Sequence, residues 1–495
     1  MSALLREPAA RTGIAGVAYD TAWLAGVSAM SDRRQSRFPT SLRWLAENQL
    51  ADGSWGSPVR YEHDRILGTL AALAPLAQFG RRDDDRRAVE AGTRYLWQHG
   101  HLLGREPVEL VGFELLLPTL VERARLAGVA VPPHLDIYHT ERERKLQLIP
   151  THALYSPQTT VVHSLEFLGD RADVQRLQQA QGANGSVGNS PAATAFLLSN
   201  TDDAKAADYL ATCLDWSGGA TVPVLHPCET FELLWSAYHL FLGGAPSREL
   251  FTLIERAQLH LELSKGGVTL SPTFPIPDAD DTAVALLMLH DLGDVVDPTV
   301  LKAFESRQGW FVSFPYERHS SVGVNAHVLH ALLRVPRYPD ADRSIQQIVA
   351  YLADQHSGLY WIDKWHISPL YATAHTLLAL DELQPDQARP VIDAVRKSRD
   401  WLRHSQNADG SWGFYGQPTA EETAYGLLAL TAGRFDERDY ERCARAAAYL
   451  EQARHDTVPA LWIDKCLYTP SLIVRAAIDA ALAAWHRKEP TRPCL

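Results

Sequence analysis

The sequence predicts an all-α protein folded into two α/α-barrel domains. Apolar residues recur at helical spacing through most of the chain, whereas the alternation typical of strands is scarce. A phrase of small or acidic residues, Thr-Ala and an apolar run also repeats. In the second half its marker positions are spaced 45, 46 and 50 residues apart, at Thr282, His327, Thr373 and Thr423. That period is the length of a two-helix repeat, and helix pairs that line a common centre form an α/α barrel.

A second phrase, Gln-x-x-Asp-Gly-Ser-Trp-Gly, occurs at 49–56 and 406–413, with a degenerate copy at 181–188. Asp-Gly-Ser is typical of a turn after a helix, because glycine adopts the positive φ that such a turn needs. We expect the Gln to bond backbone at a neighbouring helix end and the Trp to pack over it. Copies in both halves indicate two domains, with a boundary at the Gly-containing stretch 215–220, and the 495-residue length agrees.

Composition and charge exclude several classes of protein. The net charge is −12 and no Lys/Arg-rich block occurs, so a nucleic-acid partner is not expected. The five cysteines are scattered without a CxxC pair, which argues against a disulfide framework or zinc site and fits a reducing cytoplasm. Neither a signal-peptide-like start nor an apolar stretch of about 18 residues occurs, so no transmembrane segment is expected.

Three carboxylates crowd the start of one predicted helix, at Asp278, Asp280 and Asp281. Pro275 and Pro277 prevent helix immediately before them, so the cluster lies in the first turn. One aspartate is readily explained as an N-cap, but a cap needs a single oxygen and three close carboxylates repel one another. Crowding raises the pKa of at least one member, which can then act as a general acid. The residues alone leave catalysis, capping and a metal site open.

Five motifs, in order, resemble those of the class II terpene cyclases, specifically the bacterial class II diterpene cyclases of the copalyl or halimadienyl (tuberculosinyl) diphosphate synthase type. They are Tyr-Asp-Thr-Ala-Trp at 19–23, the Gln-Trp phrases, Asp-Ala-Asp-Asp-Thr-Ala at 278–283, Asp-Lys-Trp-His-x-Ser-Pro at 363–369 and Leu-Trp-Ile-x-Lys-x-Leu-Tyr at 461–468. The resemblance implies that family's βγ arrangement, with the active site between the domains. Residues 1–18 would be the first helix of the β domain, 19–214 an inserted γ barrel and 215–495 the β barrel.

In such cyclases the middle aspartate of the cluster protonates the terminal alkene of a polyprenyl diphosphate, which assigns that role to Asp280. Asp278 and Asp281 would tune and hold it. Asn325 lies near the position of the family's hydrogen-bond partner for the acid, although a helix cap explains Asn325 equally well. The carbocation needs aromatic faces that attract positive charge without reacting. Aromatic residues expected to face the cavity, or else to pack in the core, are Trp310, Trp361, Trp365 and Tyr371.

The resemblance also implies a site for the substrate's diphosphate, which class II chemistry retains. Lys145 and Lys364 align with family lysines that contact diphosphate, although Lys145 also fits a surface position. Mg²⁺ usually accompanies the diphosphate in this family, and Glu166 resembles an acidic position linked to it there. The metal motifs with which class I synthases ionise diphosphate do not occur in the sequence.

The final step removes a proton, and here the sequence departs from its relatives. In plant ent-copalyl diphosphate synthases, which this chain resembles at His163, the base is a histidine paired with an asparagine in a Pro-Asn-Val-x-Pro phrase. The corresponding phrase at 223–227 reads Pro-Val-Leu-His-Pro, with Val224 in place of the asparagine. A packing or hydrogen-bonding role for His163 therefore stays open, and the departure argues against ent-copalyl diphosphate as the product.

The expected reaction is cyclisation of geranylgeranyl diphosphate to a bicyclic labdane-type or rearranged halimane or clerodane diphosphate. The alternatives are the same chemistry on farnesyl diphosphate to give drimenyl diphosphate, a triterpene cyclase of the squalene–hopene type, and a non-catalytic α/α-barrel prenyl-binding protein. We also expect a cytoplasmic location, a homodimer, and a downstream class I synthase or phosphatase that takes the product.

Overall fold

The computed structural model describes residues 13–433, 435–454 and 457–488. This part of the chain is almost entirely helical, which confirms the predicted fold class. Its α-helices are α1 (Ala18–Ala25), α2 (Pro39–Glu47), α3 (Glu62–Phe79), α4 (Asp83–His99), α5 (Phe113–Leu126), α6 (His139–Leu148), α7 (Pro191–Thr201), α8 (Ala204–Trp216), α9 (Glu229–Leu242), α10 (Leu253–Ser264), α11 (Ala279–Asp291), α12 (Val322–Arg334), α13 (Ala341–Asp354), α14 (Pro369–Leu380), α15 (Ile392–Ser405), α16 (Ala420–Thr431), α17 (Tyr440–Ala453) and α18 (Ser471–His486). Two short strands, β1 (Trp462–Ile463) and β2 (Leu467–Tyr468), pair antiparallel in one hairpin. No helix among these residues combines the length and apolarity that a membrane span needs.

The second half of the chain closes into a ring of six inner helices. In ring order they are α9, α11, α12, α14, α16 and α18, and α18 packs back against α9. Outer helices flank them, with α10 on α11, α13 on α12, α15 on α14 and α17 on α16. The inner helices are mostly buried, and α14 buries all twelve of its residues. Outer helices such as α13 bury only one stripe, as expected of an amphipathic helix on a surface.

The first half forms a smaller ring of the same kind. Its inner members are α1, α3, α5, the 3-10 helical segment Thr160–Arg171 and α7, and α7 packs back against α1. Helices α2, α4, α6 and α8 lie outside them. The two predicted α/α barrels are therefore both present, which agrees with the repeats found in each half of the sequence.

One tryptophan arrangement ties outer helices to inner ones and occurs three times. In each copy the indole Nε1–H donates to a leucine carbonyl of the preceding outer helix, at 2.7–3.0 Å. The backbone N–H of the same residue donates to a threonine hydroxyl of the following inner helix, at 3.0–3.1 Å. The three residues are Trp55, Trp361 and Trp412. Gln49 and Gln406 also bond backbone carbonyls of a neighbouring outer helix, as the repeated phrase predicts.

We expect Trp361→Phe to destabilise the protein by about 2 kcal/mol. The change leaves the Leu352 carbonyl without its donor and opens a small void in a fully buried position. A urea denaturation series measures the effect. The control is Trp216→Phe on α8, because that side chain is substantially exposed and its loss should change stability by less than about 0.5 kcal/mol. Equal effects at the two positions would contradict the structural role of Trp361.

The described residues nearest the N-terminus join the second ring. Ile14 forms a β-bridge with Pro470, and the Ala15 N–H donates to the Thr469 carbonyl at 3.3 Å. The helix predicted over 1–18 falls mostly outside the described residues, and the described residues 13–17 are not helical. The limits predicted for the two domains otherwise remain a prediction; the one at 214–215 lies within α8, which ends at Trp216.

The β1–β2 hairpin of the second ring docks against the first ring. The Leu467 N–H donates to Asp64 Oδ1 at 2.9 Å, and the Val111 N–H donates to the Asp464 carbonyl at 3.0 Å. Lys465 Nζ donates to the His163 carbonyl at 3.0 Å. The hairpin therefore closes the junction of the two rings, beside the largely aromatic cavity described below.

Candidate active site

The predicted carboxylate cluster lies at the N-terminus of α11, facing the junction. Asp278 is the N-cap, and its Oδ1 accepts the Asp281 N–H at 2.7 Å. Asp281 is buried, and its Oδ1 accepts the Trp235 indole N–H at 3.0 Å. Capping thus accounts for one carboxylate of the three, and the other two need a different explanation.

Asp280 is the most exposed of the three aspartates, all of which line the cavity. Its side chain is 16% exposed, and it lines the cavity between the rings. Its Oδ1 lies 2.7 Å from His327 Nδ1 on α12. The structure shows no bond from a described residue to its second oxygen, so that oxygen is available to a ligand. This is the geometry required of a proton donor.

Three histidines form a chain behind Asp280. His327 Nε2 lies 2.8 Å from His375 Nδ1, and His375 Nε2 lies 3.3 Å from His239 Nε2. Burial lowers the pKa of His239 to about 3 and lowers the pKa of His375 well below its usual value. The hydrogen-bond chain can run in either direction, because each imidazole nitrogen donates or accepts according to its tautomer. In the direction in which each ring donates toward the acid, His327 donates Nδ1–H to Asp280 Oδ1, and the oxygen of Asp280 that faces the cavity is the one left to carry a proton.

The electrostatics of the cluster favour bound protons. Burial, and then the charge of the neighbouring aspartates, raises the pKa of Asp281 well above its usual range. Burial also raises the pKa of Asp278, although the Asp281 N–H that it accepts opposes the effect. The sequence predicts raised pKa values from crowding, and the structure adds burial as the larger cause.

The cavity is a largely apolar space between the two rings, with an empty volume of about 930 Å³ that includes space open to solvent. Val111, Thr160 and His163 come from the first ring, and the hairpin and inner helices of the second ring supply most of the rest. Its aromatic walls suit a cation that must be stabilised without being trapped. The aromatic lining residues are Phe231, Trp235, Phe274, Phe314, Trp365, Tyr371, Trp462 and Tyr468.

Comparison with known proteins identifies the family of this chain. A type B diterpene cyclase of Mycobacterium tuberculosis is 31% identical over 97% of this chain and 97% of its own length. The chain belongs to the bacterial class II diterpene cyclases. An ent-copalyl diphosphate synthase of a Streptomyces species is 33% identical, covering 90% of this chain and 88% of that protein. Residues 318–470 also match the model of the squalene–hopene cyclase C-terminal domain.

Solved structures support the same assignment for the whole length of the cyclase. The ent-copalyl diphosphate synthase from Streptomyces platensis superposes with a TM-score of 0.79 at 31% identity, covering 98% of each chain. That of Arabidopsis thaliana, solved with (S)-15-aza-14,15-dihydrogeranylgeranyl thiolodiphosphate, gives 0.71 at 25% identity over 97% of this chain and 62% of its own. Full-length similarity to diterpene cyclases does not favour the triterpene cyclase or the non-catalytic binding protein.

The predicted partner of the acid lies elsewhere in the cyclase. Asn325 is fully buried, and its amide bonds the backbone of Phe311 and Ser321 instead of Asp280. His327, two residues further along α12, takes the position beside Asp280. The signal was present in the sequence, because His327 replaces the threonine that marks the other copies of the repeat.

Two of the four predicted cavity aromatics reach the cavity of the cyclase. Trp365 donates its indole N–H to Ser313 Oγ at 3.1 Å, and Tyr371 stacks on His366. Trp361 does not line the cavity, because it belongs to the repeated tryptophan arrangement. Trp310 packs against Tyr351 away from the cavity. The sequence missed Trp235, whose indole bonds the acid cluster directly.

The two predicted diphosphate lysines are ion-paired in the structure. Lys364 Nζ contacts Glu317, donates to the His319 carbonyl at 3.1 Å and lies 5.0 Å from the centre of the Trp365 ring. Because Trp365 lines the cavity, Lys364 stands directly beside its wall. Lys145 contacts Glu114 of α5 and does not line the cavity.

Glu166, which is predicted to bind magnesium, pairs with a buried lysine. Its side chain is fully buried, and its Oε1 accepts from Lys465 Nζ at 3.0 Å and from Tyr19 OH at 3.1 Å. The ammonium group thus takes the position beside Oε1, whereas Oε2 has no hydrogen-bond partner among the described residues. No group of three His, Cys, Asp or Glu side chains suited to a metal ion occurs among the described residues.

His163 lies on the cavity wall with two hydrogen-bond partners. Its Nδ1 is 2.8 Å from the Gly188 carbonyl, and its Nε2 is 3.1 Å from Asp464 Oδ1 in the hairpin. Val224, at the position of the family asparagine, is fully buried and offers no polar side chain. Asp464, which the sequence gives no reason to select, therefore stands as the side-chain partner of His163.

Proposed function

We propose that this cyclase converts geranylgeranyl diphosphate into a bicyclic labdane-type or rearranged diterpenyl diphosphate and retains the diphosphate. Such a reaction belongs to the intramolecular-lyase class of isomerases. The observation that carries the proposal is Asp280, which is bonded to His327 on one oxygen and open to an aromatic cavity on the other.

The chemistry follows from that geometry. Asp280 gives its proton to the terminal alkene, and the alkene's electron pair forms the new C–H bond and leaves a tertiary carbocation. The His327 donor remains on Oδ1 and stabilises the negative charge that develops on the carboxylate. Most of the surface that lines the cavity is apolar, which limits the water that competes for the proton or the cation.

Ring closure then moves the positive charge along the folded chain. The faces of Trp365, Tyr371 and Trp462 line the same cavity and attract the cation without bonding to it. The Arabidopsis relative solved with a geranylgeranyl thiolodiphosphate analogue supports the C20 substrate.

The diphosphate needs a cation beside the cavity wall. Lys364 is the candidate cation for it, since it lies beside the wall residue Trp365. Mg²⁺ stays a prediction, and so does Glu166 as its ligand. A cytoplasmic location, a homodimer and a downstream class I synthase or phosphatase also stay predictions.

Incubation of the protein with geranylgeranyl diphosphate tests the proposal. After phosphatase treatment, mass spectrometry should find a bicyclic diterpene alcohol, and untreated samples should retain the diphosphate. A parallel incubation with farnesyl diphosphate measures chain-length preference, and omission of Mg²⁺ measures metal dependence. Recovery of unchanged acyclic alcohol from both substrates would overturn the proposed function.

A further inference from the structure

His163 and Asp464 form a pair that bridges the two rings at the cavity wall. His163 comes from the segment Thr160–Arg171 of the first ring, and Asp464 comes from the hairpin turn of the second. Their side chains are 12% and 16% exposed, and both line the cavity that contains Asp280. Asp280 and the His163–Asp464 pair therefore line the same cavity.

The hydrogen bonds of His163 determine its protonation. Gly188 contributes a carbonyl oxygen, which only accepts, so Nδ1 carries a proton. A neutral ring would then turn the lone pair of Nε2 toward Asp464 Oδ1, and two acceptors would face each other at 3.1 Å. A proton must lie between them, so the pair is either an imidazolium with a carboxylate or a neutral ring with a carboxylic acid.

The surrounding charges select the ion pair. Burial by itself lowers the pKa of His163, but the Asp464 carboxylate more than offsets it, and the pKa of His163 is raised above its usual value. Burial by itself raises the pKa of Asp464, but His163 and then Lys465 bring it below its usual value. Lys465 in turn is held by Glu166 and Asp20, so its charge is already balanced.

An imidazolium has no lone pair with which to accept a proton from the substrate. The only basic group of the pair is the carboxylate, and Asp464 Oδ1 is engaged by His163 and by the Lys465 N–H. We propose that Asp464 is the base that ends the reaction, and that His163 is a positioning residue that holds the carboxylate against the cavity. This inference rests on the proposed function. It assigns a base to the final deprotonation, where Val224 stands in place of the expected asparagine.

The step balances with the first one. A C–H bond next to the cationic carbon breaks, and its electron pair forms a C=C bond. The proton joins Asp464 Oδ2, to which the structure shows no bond from a described residue. Asp280 has lost one proton and Asp464 has gained one, so the substrate is isomerised with no net change in its atoms. Exchange with water after the product leaves returns both carboxyl groups to their starting states.

The test is the product profile of Asp464→Asn. Asp280 is unaffected, so geranylgeranyl diphosphate should still be consumed, within about tenfold of the normal rate. The terminal base is lost, so the normal alkene should fall below about half of the products, replaced by other double-bond isomers or hydroxylated compounds. Asp464→Glu, which keeps a carboxylate, should restore part of the normal product. An unchanged profile in Asp464→Asn would overturn the inference.

A second measurement needs no altered Asp464 and reads the role of His163 directly. Histidine-ring ¹⁵N NMR of the unmodified protein near neutral pH should show one imidazolium that disappears in His163→Gln. A neutral His163 ring would contradict the assignment of the pair. If the unmodified protein leaves geranylgeranyl diphosphate intact, the proposed function fails; if it cyclises the substrate and Asp464→Asn gives the same product, only the present inference fails.

Discussion

Asp280→Asn is expected to lower the cyclisation rate by about a thousandfold or more. The amide has the size of the acid and can still accept from His327, but it holds no acidic proton for the alkene. Loss of a general acid costs about two to four orders of magnitude in general, and protonation of an isolated alkene lies at the demanding end of that range. Product formation from geranylgeranyl diphosphate, quantified by mass spectrometry after dephosphorylation, measures the effect.

Asp297→Asn is the matched control. Asp297 is also a helix-start aspartate, and its Oδ1 accepts the Thr299 N–H at 3.0 Å, but it is exposed and lies outside the cavity. That variant should retain nearly full activity, and circular dichroism should show unchanged melting for both. Substantial turnover by a folded Asp280→Asn protein would mean that another group delivers the proton.

The regular features of this protein could be predicted from its sequence. A repeat of 45 to 50 residues corresponds to a pair of helices, and successive pairs that pack side by side close into a ring. The cluster at Asp278 could be placed at a helix start because two prolines precede it. These features depend on neighbours in the chain, so local pattern is sufficient to find them.

The missed features depend on which face of a helix points inward. Asn325 and His327 are two residues apart, about 200° around the helix, so only one of them can face Asp280. Trp361 and Trp365 are four residues apart, but the first belongs to the repeated arrangement and the second to the cavity wall. Sequence alone does not show the rotation of α12 or the course of the loop before α14.

Contacts between the rings were beyond prediction for a different reason. Glu166 and Lys465 are 299 residues apart, and His163 and Asp464 are 301 residues apart. Each pair forms because the hairpin docks on the first ring, which no local pattern encodes. Glu166 therefore suggested a metal ligand, whereas its partner is a lysine from the other ring.

Lys465→Met is expected to destabilise the protein by about 3–5 kcal/mol. Lys465 is fully buried, and Nζ lies 3.0 Å from Glu166 Oε1 and 3.7 Å from Asp20 Oδ1. Methionine keeps most of the length of the side chain but removes the ammonium that pairs the buried carboxylates of Asp20 and Glu166, which is the costly way to break a buried ion pair. The midpoint of urea denaturation measures the loss.

Lys302→Met provides the control, since Lys302 pairs with Glu305 at a similar 3.1 Å but is 44% exposed. Such exposed pairs contribute less than about 1 kcal/mol, so its midpoint of urea denaturation should barely move.

The destabilisation caused by Lys465→Met should also grow with pH. Burial already raises the pKa of Asp20 to about 7 with the lysine present, and removal of the lysine raises it further. The folded variant then binds more protons than its unfolded chain, so its free energy of unfolding falls as pH rises. The difference in the free energy of unfolding between Lys465→Met and the unmodified protein should therefore be larger near pH 8 than near pH 6. A difference that decreases as pH rises would show that the charge of Lys465 does not stabilise the buried carboxylates of Asp20 and Glu166.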